Sequence, residues 1–283
     1  MKRTSFAIIG GDARFTMLSK LLSADGHAVF LSGHGEEFSA IEGASAANAV
    51  ILPLPCSSDG ININAPFSDT PVPFDEELAA AIGKKPIFAG MFTRLQIART
   101  KIFNVFDYGA REDFLLRNAQ ATAEGALALL IEHSPYSLFT MKGLVTGFGR
   151  IGAALTRLLL SCGTKITVAA RNPAQLALAQ CMGADTVGIN EIQSVASDVD
   201  FAVNTIPHPI IGSDFIGAMK DDAVMIDLAS GEGGIDFTAA RNRRINTLHA
   251  LSLPGKFSPF GAALDIKKTI YSILMEVEEI DKY

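Results

Sequence analysis

The sequence predicts an α/β protein built from two doubly wound parallel-sheet domains. Short apolar, β-branched runs alternate with helical stretches along the chain, as parallel strands and their crossover helices do. The succession occurs twice, over spans that each match an ordinary domain. A chain of 283 residues with 48% hydrophobic content can bury one large core or two ordinary ones. Two sheets suit about ten strands better than one continuous sheet does.

In the first half, strands are expected at residues 6–10, 28–31, 49–54, 86–89 and 102–106. The first runs into Gly10-Gly11-Asp12-Ala13-Arg14, then a helix with Phe15, Leu18, Leu21 and Leu22 on one side. A long helix is expected over 113–131, carrying Leu115, Leu116, Ala119, Ala123, Ala126, Leu127 and Leu130, and stopped by Ser134 and Pro135. In the second half the strands fall at 144–146, 166–170, 201–206, 223–228 and 247–251, with a shorter candidate at 186–189. A second long helix, 262–280, shows Leu264, Ile266, Ile270, Ile273, Leu274 and Val277 and needs a partner surface. The expected division is therefore 1–115, completed by 262–283, and 116–261, with a hinge and an active cleft between the two domains.

Composition narrows the function classes. A formal charge of −6 argues against nucleic acid and anionic membrane surfaces. Cys56, Cys162 and Cys181 are scattered, odd in number and without zinc or disulfide spacing; Cys162 and Cys181 fall within or at the ends of apolar helical stretches, so these two are expected to be buried thiols. The opening residues lead straight into a strand without a signal-type segment, and no run reaches the roughly 18 apolar residues of a membrane span. These features predict a soluble protein of the reducing cytoplasm.

The most specific motif is Gly147-Phe148-Gly149-Arg150-Ile151-Gly152, between an expected strand and an expected helix. In this Rossmann-like turn the first glycine makes the tight bend and the second lets backbone approach a pyrophosphate. The third lets helix and strand pack closely, and the pyrophosphate rests on amides at the helix N-terminus. The next strand ends in Arg171 and Asn172, with no acidic residue to bond ribose hydroxyls. An arginine there suits a 2′-phosphate, so NADP is expected; a solvated arginine beside a helix start is the competing reading. In open α/β sheets ligands lie beyond the carboxyl ends of strands. That rule adds Thr205, Ile206 and Pro207 after one strand, and Leu228, Ala229 and Ser230 after the next, as candidates on the nicotinamide side. Ordinary strand-to-loop punctuation explains them too.

For a substrate, Gly10 and Gly11 offer amides beside Arg14, an anion site fit for a carboxylate, with Asp12 also a helix-cap candidate. Ser57 lies on a second strand-end loop, and Lys256 on a loop expected after the last strand, where it adds another cation. No catalytic triad, metal cluster or paired-carboxylate motif stands out, and His27, His34, His133, His208 and His249 are isolated. The catalytic group is unassigned, and no metal is expected.

Six segments together resemble the family of dipicolinate synthase A subunits. They are Ile-Gly-Gly-Asp-Ala-Arg at 9–14, Asn-Ala-Gln-Ala-Thr-Ala-Glu-Gly at 118–125, the glycine turn at 147–152, and Asn-Thr-Ile-Pro at 204–207. Asp-Leu-Ala-Ser at 227–230 with Gly-Gly-Ile-Asp-Phe at 233–237, and Leu-Pro-Gly-Lys at 253–256, complete the set. The chain departs from the family at Ala121 (usually proline), at Gly231 and Glu232 (usually Arg-Pro), and over 258–263. The resemblance implies loss of water from 4-hydroxy-tetrahydrodipicolinate, then hydride removal to NADP, giving the aromatic dicarboxylate in the mother cell of a sporulating bacterium. It implies the flavoprotein-like B subunit of dipicolinate synthase as partner; a homo-oligomer is a further option. Arg14 with Gly10 and Gly11 would meet one carboxylate, and Lys256 or Ser230 the other. Two alternatives stand: another two-domain NADP oxidoreductase, of hydroxyacid or shikimate type, or a non-catalytic NADP-binding regulatory protein.

Overall fold

The computed structural model describes residues 3–35 and 38–280. The chain forms two compact units, Met1–Asn118 with Gly255–Tyr283, and Ala119–Pro254. In the first, β1 (Ser5–Ile9), α1 (Ala13–Ala24), β2 (Ala28–Ser32), α2 (Ala40–Ala46) and β3 (Ala49–Ile51) follow in turn. A small antiparallel hairpin, β4 (Asn62–Ile63) and β5 (Val72–Pro73), precedes α3 (Glu76–Ile82), β6 (Ile87–Ala89) and β7 (Val105–Asp107). The other five strands form one parallel sheet, ordered β2-β1-β3-β6-β7.

Successive strand residues point to opposite faces, and both faces of this sheet are covered. Phe6, Ile8 and Ile51 pack with Phe15, Leu18 and Leu22 of α1, while Ala7, Ile9 and Val50 pack with Leu78, Ala79 and Ile82 of α3. Two-sided burial is why the strands read as continuous apolar runs.

Helix α4 (Glu112–His133) carries the chain from one unit to the other. Its Phe114 is buried in the first core, and its Ala123, Ala126 and Leu130 in the second. The second unit runs β8 (Lys142–Thr146), α5 (Arg150–Ser161), β9 (Lys165–Ala170), α6 (Pro173–Cys181), β10 (Asp185–Gly188), β11 (Phe201–Asn204), α7 (Ser213–Ala218), β12 (Val224–Asp227), α8 (Phe237–Arg243) and β13 (Asn246–His249). Its six parallel strands are ordered β10-β9-β8-β11-β12-β13. Then α9 (Leu253–Phe257) leads back to the first unit and into α10 (Pro259–Ile280). Ala263, Ile266, Ile270 and Ile273, at spacings of three and four, lie on one helical face and join the core of Leu18 and Leu22. Outside that seam, Asp25 at the end of α1 accepts from Lys267 Nζ (2.7 Å) and the Tyr271 hydroxyl (2.7 Å).

Several expectations are corrected. The apolar run at 102–106 is strand only from Val105, where pairing with Ile87 begins, and Ile102 is wholly exposed. Leu253–Lys256 is helical, because the chain must turn from β13 into α10. Cys162 and Cys181 are exposed, since they sit at the solvent-facing ends of α5 and α6; Cys56 is buried. Among the described residues, no helix is long and apolar enough to cross a membrane, and no group of three His, Cys, Asp or Glu residues could hold a metal.

Candidate functional site

In the second sheet the chain order reverses between β8 and β11, and ligands of such sheets sit beyond the strand ends at that point. The glycine turn lies there. Gly147 has φ +90°, which a side chain would resist, and a Cβ on it would strike the Thr205 hydroxyl. A Cβ on Gly152 would lie 2.9 Å from the carbonyl carbon of Gly147 and nearer still to its oxygen. Gly149 differs from both. It starts α5 without any side-chain cap, and nothing lies within 4 Å of where its Cβ would be. The first-turn amides of α5 thus open on a cradle that a single methyl group would begin to fill, which fits an anionic pyrophosphate. Phe148 is buried in the unit's core, Ile151 packs against it, and Arg150 is exposed.

At the end of β9, Arg171 is exposed. Asn172 caps α6, its Oδ1 accepting from the Ala174 amide at 2.9 Å, so its side chain has a structural role.

The ends of β8, β11 and β12 are tied by one buried polar chain. The Thr146 hydroxyl donates to Asn204 Oδ1 (2.6 Å), and Asn204 Nδ2 donates to Asp227 Oδ1 (2.8 Å). Asn204 also holds the loop after it, accepting from the Ile206 amide (3.1 Å) and donating to the Ile206 carbonyl (2.9 Å). The Thr205 hydroxyl donates to the Thr146 carbonyl at 2.8 Å, and Pro207 is exposed beyond. Asp227 takes the Ala229 amide on Oδ1 (3.0 Å) and the Gly234 and Ile235 amides on Oδ2 (2.6 and 3.1 Å). Leu228 and Ala229 are buried, and Ser230 emerges exposed at the head of the loop these bonds close. The His249 ring lies alongside, its Nε2 3.0 Å from the Ala229 carbonyl. Sequence reasoning named the segments but missed what Asn204 and Asp227 do. The available signal was a polar residue ending each of two wholly apolar strands.

In the first sheet the order reverses between β1 and β3. Here the expected anion site is corrected. The Gly10 amide donates to the Ser32 carbonyl (2.9 Å) and the Gly11 amide to the Asn64 carbonyl (2.7 Å), so neither is free for a carboxylate. Asp12 caps α1 through the Arg14 amide and holds the guanidinium along its Nε/Nη2 edge, Nε to Oδ1 at 2.8 Å and Nη2 to Oδ2 at 3.0 Å. Nη2 also donates to the Leu54 carbonyl, leaving Nη1 as the unengaged end of a side chain only 7% exposed. Gly255 packs on this pair, where a Cβ would lie 2.7 Å from Asp12 Oδ2; Lys256, next in the chain, is exposed. Ser57 is corrected too: it is buried, accepting from the Gly60 amide and donating to Asp59. Backbone donors from Asn62 and Ile61 hold the Asp59 carboxyl well below the usual range, so this is a self-contained turn. Burial pushes the neighbouring Cys56 thiol up to about 11, which keeps it protonated at neutral pH.

Comparison with known proteins gives two family matches. Residues 5–105 match the N-terminal domain of the dipicolinate synthase A subunit, and residues 117–236 the NAD binding domain of D-isomer specific 2-hydroxyacid dehydrogenase. The dipicolinate synthase A subunit of Bacillus subtilis (strain 168) is 27% identical over 288 residues, covering 96% of each chain. The crystal structure of dipicolinate synthase, A chain, from Bacillus subtilis superposes with a TM-score of 0.86 at 26% identity, covering 99% of this chain and 98% of that one. That of the dipicolinate synthase A subunit from Bacillus halodurans gives 0.83 at 25% identity, covering 96% and 97%. These matches correct the expected cofactor. Residues 117–236 match a domain described as NAD binding, not as NADP-specific, and the NADP expectation rested on Arg171. Arg171 itself is exposed, as the competing reading of a solvated arginine has it.

Proposed function

The chain belongs to the family of dipicolinate synthase A subunits, and on that premise we propose that it is the NAD-linked dehydrogenase component forming pyridine-2,6-dicarboxylate. The substrate is 4-hydroxy-tetrahydrodipicolinate. Loss of water leaves a dihydropyridine dicarboxylate, and loss of a hydride and a ring proton makes it aromatic. The bound dinucleotide supplies the hydride acceptor. Aromatisation provides driving force, so the protein's work is alignment and neutralisation of two carboxylates, and no strong dedicated base is required.

The observation that carries the redox reading is the open cradle at Gly149, at the uncapped start of α5. In the other unit, Arg14 has one unengaged nitrogen, Nη1, and Asp12 with the Leu54 carbonyl fixes the rest of the guanidinium in place. A planar donor so held suits a carboxylate, and Lys256, which follows the Gly255 that packs on it, is the candidate for a second charge. The family reading adds the flavoprotein-like B subunit as partner, in the cytoplasm of a sporulating mother cell.

The test combines the purified chain with NAD and enzymatically generated hydroxy-tetrahydrodipicolinate, following nucleotide reduction and pyridine absorbance together, with and without the B subunit. Both signals are expected to rise in step. Nucleotide binding without either signal, even with the B subunit present, would refute the assignment.

A further inference from the structure

Asp227 is wholly buried, and each of its partners is a donor: the Asn204 amide group and the backbone amides of Ala229, Gly234 and Ile235. No partner accepts a proton from it, so the arrangement is that of a carboxylate. No lysine, arginine or histidine among the described residues pairs with it, and the His249 ring beside it meets the Ala229 carbonyl and the Phe237 ring instead. Peptide dipoles and one side-chain amide satisfy the charge without cancelling it.

Its place in the sheet gives that charge a target. The glycine turn follows β8, and the adenosine half of a bound dinucleotide extends over β9. The half of the sheet left for the nicotinamide is β11, β12 and β13, and Asp227 ends the middle strand of these. It also closes the 229–234 loop and, through Asn204, holds the 205–206 segment, the two loops that would border the ring.

The nicotinamide ring is cationic when oxidised and neutral when reduced. We infer that Asp227 biases the second unit toward the oxidised form, so that the chain holds NAD+ in preference to NADH. This rests on the dinucleotide reading proposed above. It suits an enzyme that must collect the oxidised form and release the reduced one. A single buried charge acting over a short range in a partly polar interior is expected to shift the ratio of the two affinities by about tenfold.

The test is calorimetric titration of the full chain with NAD+, NADH and ADP-ribose, which lacks the nicotinamide. The unaltered chain is expected to bind NAD+ more tightly than NADH. In Asp227→Asn the preference should move about tenfold toward NADH, with ADP-ribose affinity unchanged. A ratio of affinities that does not move, or equal weakening of all three ligands, overturns the inference and leaves Asp227 a structural staple. Should Asp227→Asn fail to fold, the unaltered chain still decides, since tighter binding of NADH than NAD+ contradicts the inference. If none of the three ligands binds, the dinucleotide site itself is wrong and the inference falls with it.

Discussion

Replacing Gly149 by alanine separates cofactor binding from folding. Its backbone, φ −80° and ψ −162°, is extended and open to any residue, and a Cβ there meets nothing within 4 Å. The cost to the folded chain is that of alanine for glycine at a helix N-cap, at most about 1 kcal/mol. The cost to a bound pyrophosphate is larger. A methyl group displaces the anion from the α5 amides, and one hydrogen bond to a charged group is worth about 2 kcal/mol. That corresponds to about a 30-fold rise in the Kd for NAD+. Calorimetric titration with NAD+, alongside urea denaturation of the same preparation, measures both terms. A Gly149→Ala chain that is fully folded and binds NAD+ with unaltered affinity would refute the cradle.

Gly152→Ala should behave oppositely: the new methyl meets the Gly147 backbone, which has no side chain to swing aside, and the urea midpoint should fall by the equivalent of about 3 kcal/mol. Arg14→Ala should weaken dipicolinate binding at least tenfold and leave NAD+ affinity intact; equal loss of both would make the arginine purely structural. Ile270→Ala removes a fully buried side chain between α10 and α1 and should cost about 3 kcal/mol, read from thermal or urea unfolding. Asp25, held below its usual range first by Lys267 and then by Tyr271, contributes stability above the unfolded value of 3.8 and loses it as pH falls through the lower folded one. Asp25→Asn should therefore cost up to about 0.5 kcal/mol at neutral pH, discounted for exposure, and progressively less as the pH falls below 3.8, a trend visible in melting curves across that range.

The sheets were legible because both faces of each are covered, so that strands such as Phe6–Ile9 and Phe201–Val203 are apolar without interruption. The glycine turn was legible because each of its glycines answers a separate steric demand. What escaped was whatever depends on partners distant in the chain. The Gly10 and Gly11 amides look free in sequence, yet Ser32 and Asn64 supply their acceptors. Arg14 looks like a free ligand-binding cation, yet the Leu54 carbonyl, forty residues on, accepts from its Nη2. Asp227 could be named as a strand-end residue, but its four donors come from three separate places in the chain. The choice of dinucleotide failed for a related reason: one arginine's identity was read without the surroundings that would make it a phosphate ligand.

The return of α10 to α1 makes the first unit a discontinuous body with the second inserted in it. On the ribosome, 119–254 is complete before α10 exists, so the nucleotide-binding half can fold while the half begun earlier still shows the bare apolar flank of Leu18 and Leu22 to its surroundings. A premature stop after residue 254 would leave a sound NAD-binding module fused to an unfinished neighbour, a product marked for chaperone capture or degradation.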